Sequence, residues 1–145
     1  MVGVFSDSIT NFLAPVAAYL NDESVSEVLV NGPHEIWVER KGKLERTDAK
    51  FIDETALQAA VRNIAQFVGR RIDAENPTLD ARLPDGSRIH AVLPPSSRMG
   101  TTMAIRKFAK AAELSFEKLV TFGSISPEGA EFLHICVQLG KNMIV

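Results

Sequence analysis

The chain has 145 residues, of which 46% are hydrophobic and 23% are charged, and its formal net charge is −2. These values are typical of one globular domain with its own core, and they argue against a dedicated nucleic-acid-binding protein, which carries a strong basic excess. Cys136 is the single cysteine, so no internal disulfide is possible, and no apolar run reaches the ~18 residues of a transmembrane helix; we therefore expect a cytoplasmic domain.

The first part of the sequence predicts a helix followed by a small meander of strands. Apolar residues recur at helical spacing over residues 8–21, where Pro15 is expected to kink or divide the helix. Residues 27–47 contain three short segments with strand character, the first of them rich in β-branched residues, separated by two glycine-containing turns. This pattern predicts short antiparallel strands.

A second helix and a second set of strands follow. Residues 54–69 have one apolar helical face, with Asp53 as the candidate N-cap and Gly69 as the candidate C-terminal residue. Residues 78–108 alternate between apolar and polar side chains, and Pro84–Ser87 has the composition of a hairpin turn. Helices that flank strands in this way predict an α+β fold, in which helices cover an antiparallel sheet on one face.

The C-terminal part predicts two more helices and the beginning of a strand. A short helix is expected between Ser115 and Phe122, and Ser126 with Pro127 is a typical helix start. We expect a buried stripe on this last helix, formed by Ala130, Leu133 and Val137. Residues 141–145 have the composition of a buried strand. We accordingly divide the chain into an N-terminal domain, 1–110, and a C-terminal segment, 111–145.

Several classes of chemical site have no counterpart in the sequence. His34, His90, His134 and Cys136 are scattered, without the spacing of metal ligands. The sequence also has no glycine-rich phosphate loop, no dinucleotide-binding fingerprint and no serine-hydrolase elbow. We therefore predict no catalytic residue and no metal ligand. We interpret His134 as a partly buried structural residue, Cys136 as a core or near-core residue, and Trp37 as a packing residue.

The remaining candidates for a binding site are basic residues, most of them arginines. Residues 62–110 contain nine basic residues against four acidic ones; the basic ones are Arg62, Arg70, Arg71, Arg82, Arg88, Arg98, Arg106, Lys107 and Lys110. Guanidinium groups on strands are suited to binding phosphate oxygens. From the residues alone, however, a solvated sheet face with surface ion pairs, such as one between Arg82 and Asp80, is favoured.

Several separate motifs resemble those of a known family, and they occur along the chain in the order expected for it. They are LDARLPDGSRIHAVLPP from Leu79, MAIRKF, GKNMIV, SVSEVLVNGPHEIWVERKGKLERTD and FVGRRIDAENP. Together they resemble the N-terminal domain of the type II/type IV secretion ATPase superfamily, and within it most closely the tight-adherence (Flp-type) pilus assembly ATPases. The resemblance extends over nearly the whole chain, from about Leu20 onward.

The resemblance implies a PAS-like α+β sheet domain that precedes a RecA-like ATPase core. Met143–Val145 match the first strand of that core, which in the family leads into a phosphate loop of the form G-x-x-x-x-G-K-[ST]. Because this loop is missing from the sequence, we do not expect the chain alone to be an enzyme. The full-length parent protein is expected to be an ATPase that uses ATP and magnesium.

The resemblance also assigns two site residues. Arg88 in the DGSR motif and Arg106 in the AIRKF motif match family arginines that reach the nucleotide phosphates between the two domains of a hexamer. Their implied role is to neutralise phosphate charge and to sense the γ-phosphate. Arg82, Arg98 and Lys107 are interpreted as surface residues. Arg70 and Arg71 have no assigned role.

The expected function is therefore a regulatory, nucleotide-sensing N-terminal domain of a hexameric ATPase that powers protein export or pilin assembly. Its expected partners are its own ATPase domain, five further copies, and a platform protein of the inner membrane, at whose cytoplasmic side it would lie. One alternative is a stand-alone PAS-like interaction or sensor module without ATPase activity, and another is a nucleic-acid-binding domain. A Gly-Lys-Thr/Ser loop encoded within ~10 residues after Val145 would favour the ATPase.

Overall fold

The structure is a computed structural model that describes residues 11–108 and 115–144. The chain divides after Phe108 into two units. We call the first of them, up to Phe108, the sheet unit, and the second, from Ala109, the helical unit.

Six strands of the sheet unit form one antiparallel sheet, with the order β3-β2-β1-β6-β5-β4. The strands are β1 (Val25–Asn31), β2 (Ile36–Arg40), β3 (Lys43–Arg46), β4 (Thr78–Arg82), β5 (Arg88–Val92) and β6 (Thr102–Arg106). The first and the last strands are neighbours at the centre, so the two predicted sets of strands join into a single sheet. The predicted α+β class with an antiparallel sheet is confirmed.

Helical segments precede β1 and link β3 to β4. A 3-10 turn at Ala14–Val16 precedes α1 (Ala17–Asn21), so that Pro15 divides the predicted helix; residues 8–10 of that prediction lie outside the described residues. Helix α2 (Glu54–Phe67) begins at Asp53, whose side chain accepts a hydrogen bond from the backbone N–H of Ala56 at 2.7 Å. This is the predicted N-cap.

The core lies between one face of the sheet and α2. Alternate residues of the strands, including Ile89 and Ile105, are buried with Leu57, Val61 and Ile64 of α2. The side chains between them point to the opposite face, which is half-buried or exposed. Arg88 and Arg106 belong to this second face, which we call the open face.

The last strand of the sheet ends before residue 108, the predicted end of the second set of strands. Strand β6 ends at Arg106, whose partner in β1 is Glu27. The next residue, Lys107, donates from Nζ to the carbonyl oxygen of Asp22 at 2.6 Å, and the backbone N–H of Phe108 turns toward Ser87. The backbone N–H of Lys107 still donates to the carbonyl oxygen of Ser26 at 2.9 Å, so the chain leaves the ladder only after Lys107.

The described part of the helical unit contains two capped helices. They are α3 (Phe116–Thr121) and α4 (Pro127–Gln138). The side chain of Ser115 accepts from the backbone N–H of Lys118 at 3.3 Å, and that of Ser126 accepts from Gly129 at 3.1 Å. Both predicted helix starts are present.

The predicted buried stripe of α4 is wrong, apart from Ala130. Val137 is 60% exposed, Leu133 is half-buried, and His134 is exposed next to Gln138 rather than partly buried. A short pair of helices offers too little surface to cover more than one position of this face. Cys136 is half-buried, as a near-core residue would be.

The strand predicted for residues 141–145 is also not observed where the structure describes the chain. Residues 141–144 have no regular structure, and Ile144 is fully exposed. An apolar run becomes a strand only when another strand supplies its hydrogen-bond ladder, and the described part of the helical unit contains helices only. Val145 lies outside the described residues.

Candidate functional site

Three arginines lie side by side on the open face. In the strand register Arg82 is opposite Arg88, and Arg88 is opposite Arg106. Residues directly opposite each other in neighbouring strands point to the same face, and neighbouring strands are ~4.8 Å apart. We call Arg82, Arg88 and Arg106 the arginine row. Like charges in such positions repel each other unless an anion lies between them.

The acidic groups near the arginine row neutralise its positive charges unevenly. Arg88 makes a two-pronged contact with Asp80, at 2.6 Å from Nη2 to Oδ2 and 3.1 Å from Nε to Oδ1. Arg106 reaches Glu27 only at 3.7 Å from Nη2 to Oε2. Arg82 makes no ion pair with any residue of the ranges 11–108 and 115–144. The row therefore retains unneutralised positive charge.

The ionisation of the Asp80–Arg88 pair follows from this contact. The hydrogen bonds from Arg88 hold the pKa of the Asp80 carboxyl below its usual value, and the same contact raises the pKa of Arg88. Both side chains remain more than half exposed. The pair is thus charged at neutral pH and open to solvent.

The suggested ion pair between Arg82 and Asp80 is wrong, because Asp80 binds Arg88 instead. Asp80 and Arg82 lie two residues apart on β4, a spacing of about 6.6 Å along a strand. The hairpin register places Asp80 opposite His90, so Arg88 is its diagonal neighbour across the strands. Sequence proximity alone did not reveal this register.

The turn before Arg88 is tied to the chain that follows Arg106. Asp85 accepts hydrogen bonds from the backbone N–H and the hydroxyl of Ser87, at 2.9 and 2.8 Å. The buried Ser87 hydroxyl in turn accepts from the backbone N–H of Phe108 at 3.2 Å. These bonds hold β5 and β6 together at the end of the sheet where the arginine row lies.

We expect Gly86→Ala to destabilise the sheet unit by about 1–3 kcal/mol, through backbone strain and a clash. Gly86 has a φ of +88°, and an added Cβ would lie 3.0 Å from the ring of Phe108. Chemical denaturation measures the loss. Gly42→Ala is the matched control, because Gly42 has a φ of +75° and open space around it. A loss no larger than that of the control would contradict the contact with Phe108.

The other predicted basic residues do not join the row. Arg98 is exposed in the loop between β5 and β6, at the opposite end of these strands. Lys107 has a structural contact with the backbone of Asp22. The remaining positions are surface residues or lie outside the described residues: Arg62 binds Gln58, Arg71 binds Asp73, Arg70 is exposed, and Lys110 is not described.

Trp37 is a half-buried residue of the open face, opposite Leu29. Its Nε1 donates to Glu35 Oε1 at 2.8 Å. Its predicted role as a packing residue stays a prediction.

A hydrogen-bonded clamp that the sequence did not reveal joins the half-buried Glu54 of α2 to Thr101, the residue before β6. Glu54 Oε1 accepts from the backbone N–H and the hydroxyl of Thr101, at 2.9 and 2.6 Å, and from Gln58 Nε2 at 3.0 Å. Thr101 is fully buried. Burial alone would raise the pKa of the Glu54 carboxyl, but the hydrogen bonds from Thr101 and Gln58 outweigh it and lower that pKa. The two partners are 47 residues apart, so no local pattern connects them.

In the described ranges, 11–108 and 115–144, no three His, Cys, Asp or Glu side chains come together to hold a metal ion. No helix in these ranges has the length and hydropathy needed to cross a membrane.

Comparison with known proteins identifies related chains. The family model described as "Type II/IV secretion system protein" matches residues 10–145. The type IV secretion system protein VirB11 of Bartonella quintana is 30% identical, over 79% of this chain and 32% of its own length. PtlH, a type IV secretion system protein of Bordetella pertussis, is 32% identical, over 95% of this chain and 47% of its own length.

A solved structure shares the fold. It is the crystal structure of the VirB11 ATPase from the Brucella suis type IV secretion system in complex with sulphate. The TM-score is 0.73 at 29% identity, over 86% of this chain and 37% of that one. The chain thus spans less than half the length of each of these three relatives.

Proposed function

Because the chain belongs to the type II/IV secretion system protein family, we propose that its sheet unit is the nucleotide-sensing N-terminal domain of an ATPase that powers protein export or pilin assembly. Arg88 and Arg106 are the residues that contact the nucleotide phosphates. The observation that carries this proposal is their register: the two arginines are direct neighbours on the open face, and both guanidinium groups are largely exposed.

The chemistry of the row fits a polyphosphate. A guanidinium group offers a planar fork of N–H donors that matches the oxygens of phosphate, and each arginine keeps its charge at any physiological pH. A ligand with several negative charges would also relieve the repulsion between neighbouring arginines.

In the proposed mechanism, Arg88 and Arg106 distinguish nucleotide states by electrostatics. ATP, bound with magnesium by the longer protein, supplies a γ-phosphate whose charge the two arginines neutralise. When that phosphate is lost, the contact that favours one position of the sheet unit is lost with it, and the position of the unit can change. In a hexamer on the cytoplasmic side of the inner membrane, this change would act on a platform protein.

Binding of inorganic triphosphate to the chain tests the proposed site. We expect Arg88→Gln and Arg106→Gln each to weaken binding roughly five-fold at low ionic strength, the size expected for an exposed charge contact. Titration calorimetry measures the affinity. Arg98→Gln is the matched control, because it removes the same charge from an exposed loop at the opposite end of β5 and β6.

Equal losses in all three variants would show that net charge, rather than the arginine row, attracts the ligand. No measurable binding by the unaltered chain would also contradict the site. In that case a protein-interaction module would describe the sheet unit better.

A further inference from the structure

One edge of the Arg88 guanidinium is already occupied. Its Nε and Nη2 donate to the two carboxylate oxygens of Asp80, whereas Nη1 takes no part in this contact. This is the geometry in which a guanidinium binds one side of a phosphate. The same pair of N–H groups cannot hold a carboxylate and a phosphate with full geometry at the same time.

The two arginines of the proposed site therefore differ in their availability. Arg106 is 74% exposed, and its nearest carboxylate, that of Glu27, is 3.7 Å away, beyond a normal hydrogen bond. Arg88 is held at 2.6 Å by Asp80. A ligand could thus engage Arg106 directly, but it would meet a carboxylate at Arg88.

We propose that Asp80 is a built-in competitor for phosphate at Arg88, so that the arginine row binds a polyphosphate fully only after the ligand displaces this carboxylate. The inference rests on the proposed phosphate contact of Arg88 and adds a residue that sets its strength. Asp80 acts through Arg88 and is therefore a positioning residue.

The contact is suited to exchange rather than to permanent structure. Asp80 and Arg88 are 51% and 66% exposed, and exposed ion pairs contribute little to stability. Because the contact also lowers the pKa of Asp80, the carboxylate stays charged at neutral pH and the competition persists there. The apparent affinity of the site falls in proportion to the fraction of molecules in which Arg88 is free.

The test is the affinity of the chain for inorganic triphosphate in the Asp80→Asn variant. Removing the competitor is expected to tighten binding roughly two- to five-fold, which is the range expected for an exposed ion pair. Glu75→Gln is the matched control, because it removes one negative charge from an exposed position in the loop before β4, where no contact with Arg88 is formed. If Asp80→Asn fails to fold, Asp80→Thr, which suits a strand, replaces it.

A double-mutant cycle with Arg88→Gln separates this role from a structural one. If Asp80 acts through Arg88, Asp80→Asn tightens triphosphate binding no more than Glu75→Gln does when Arg88 is already replaced. The proposed competition by Asp80 would be overturned if Asp80→Asn bound triphosphate no more tightly than the unaltered chain while Arg88→Gln still weakened binding. The proposed function would then remain intact. Insensitivity to Arg88→Gln would instead overturn the proposed phosphate contact.

Discussion

In the longer protein, which we propose to be an ATPase, replacing Arg88 or Arg106 with alanine is expected to lower turnover by on the order of 10²-fold, with little loss of folding. Both side chains lie on the open face, outside the core, so their removal leaves no cavity. The two positive charges would stabilise the transition state of γ-phosphate transfer most, because negative charge is then redistributed over the oxygens of that phosphate. Phosphate release under saturating ATP measures the effect.

The control for this experiment is Arg98→Ala, which should keep turnover within about two-fold, since exposed charges away from a site have small effects. A melting curve for each variant checks the fold. Turnover unchanged in both Arg88→Ala and Arg106→Ala would remove these residues from the site. Loss in one variant only would reduce the site to that arginine.

The second large effect concerns stability. Glu54→Ala is expected to lower the free energy of unfolding of the sheet unit by about 2–4 kcal/mol, because it leaves the N–H and hydroxyl of the fully buried Thr101 without their acceptor. Glu54→Gln retains an acceptor oxygen and should lose less. Urea denaturation at neutral pH measures both. Glu75→Ala, at an exposed acidic position, is expected to change stability by less than ~0.5 kcal/mol.

The clamp also predicts a pH dependence with a definite sign. The pKa of Glu54 is lowered in the folded chain relative to a usual value of 4.5, so its stabilising contribution is complete above that value. The contribution is lost as the pH falls below about 4.5 and through the folded pKa. The difference in stability between the unaltered chain and Glu54→Ala should therefore shrink in acid. A constant difference from pH 7 to pH 3 would contradict the charged clamp.

Local patterns predicted most of the elements because each depends on neighbours in sequence. Pro15 divides the first helix, the Asp53 side chain caps α2, and serine caps begin α3 and α4. The alternation around Arg88 and Arg106 also placed both arginines on the face opposite the core. These features require only a few consecutive residues, and the family motifs added the expected order of the elements.

Predictions that depended on distant neighbours were less successful. The apolar residues of α4 and the run at 141–144 have the composition of buried elements, yet burial and strand pairing require a partner surface. In the same way, the Glu54–Thr101 clamp joins residues that no periodicity connects. The composition of a segment shows only that it tends to be buried or to form a strand. The presence of a partner surface or strand decides whether it does.

The sequence by itself determined that this chain carries many arginines, which of them alternate with core residues, and which family they resemble. Only the tertiary structure decided that Arg82, Arg88 and Arg106 form one row and that Asp80 binds Arg88 rather than Arg82. The physical reason is strand register. Hydrogen bonds between β4, β5 and β6 fix which charges face each other, and a shift of one residue would turn each side chain to the other face.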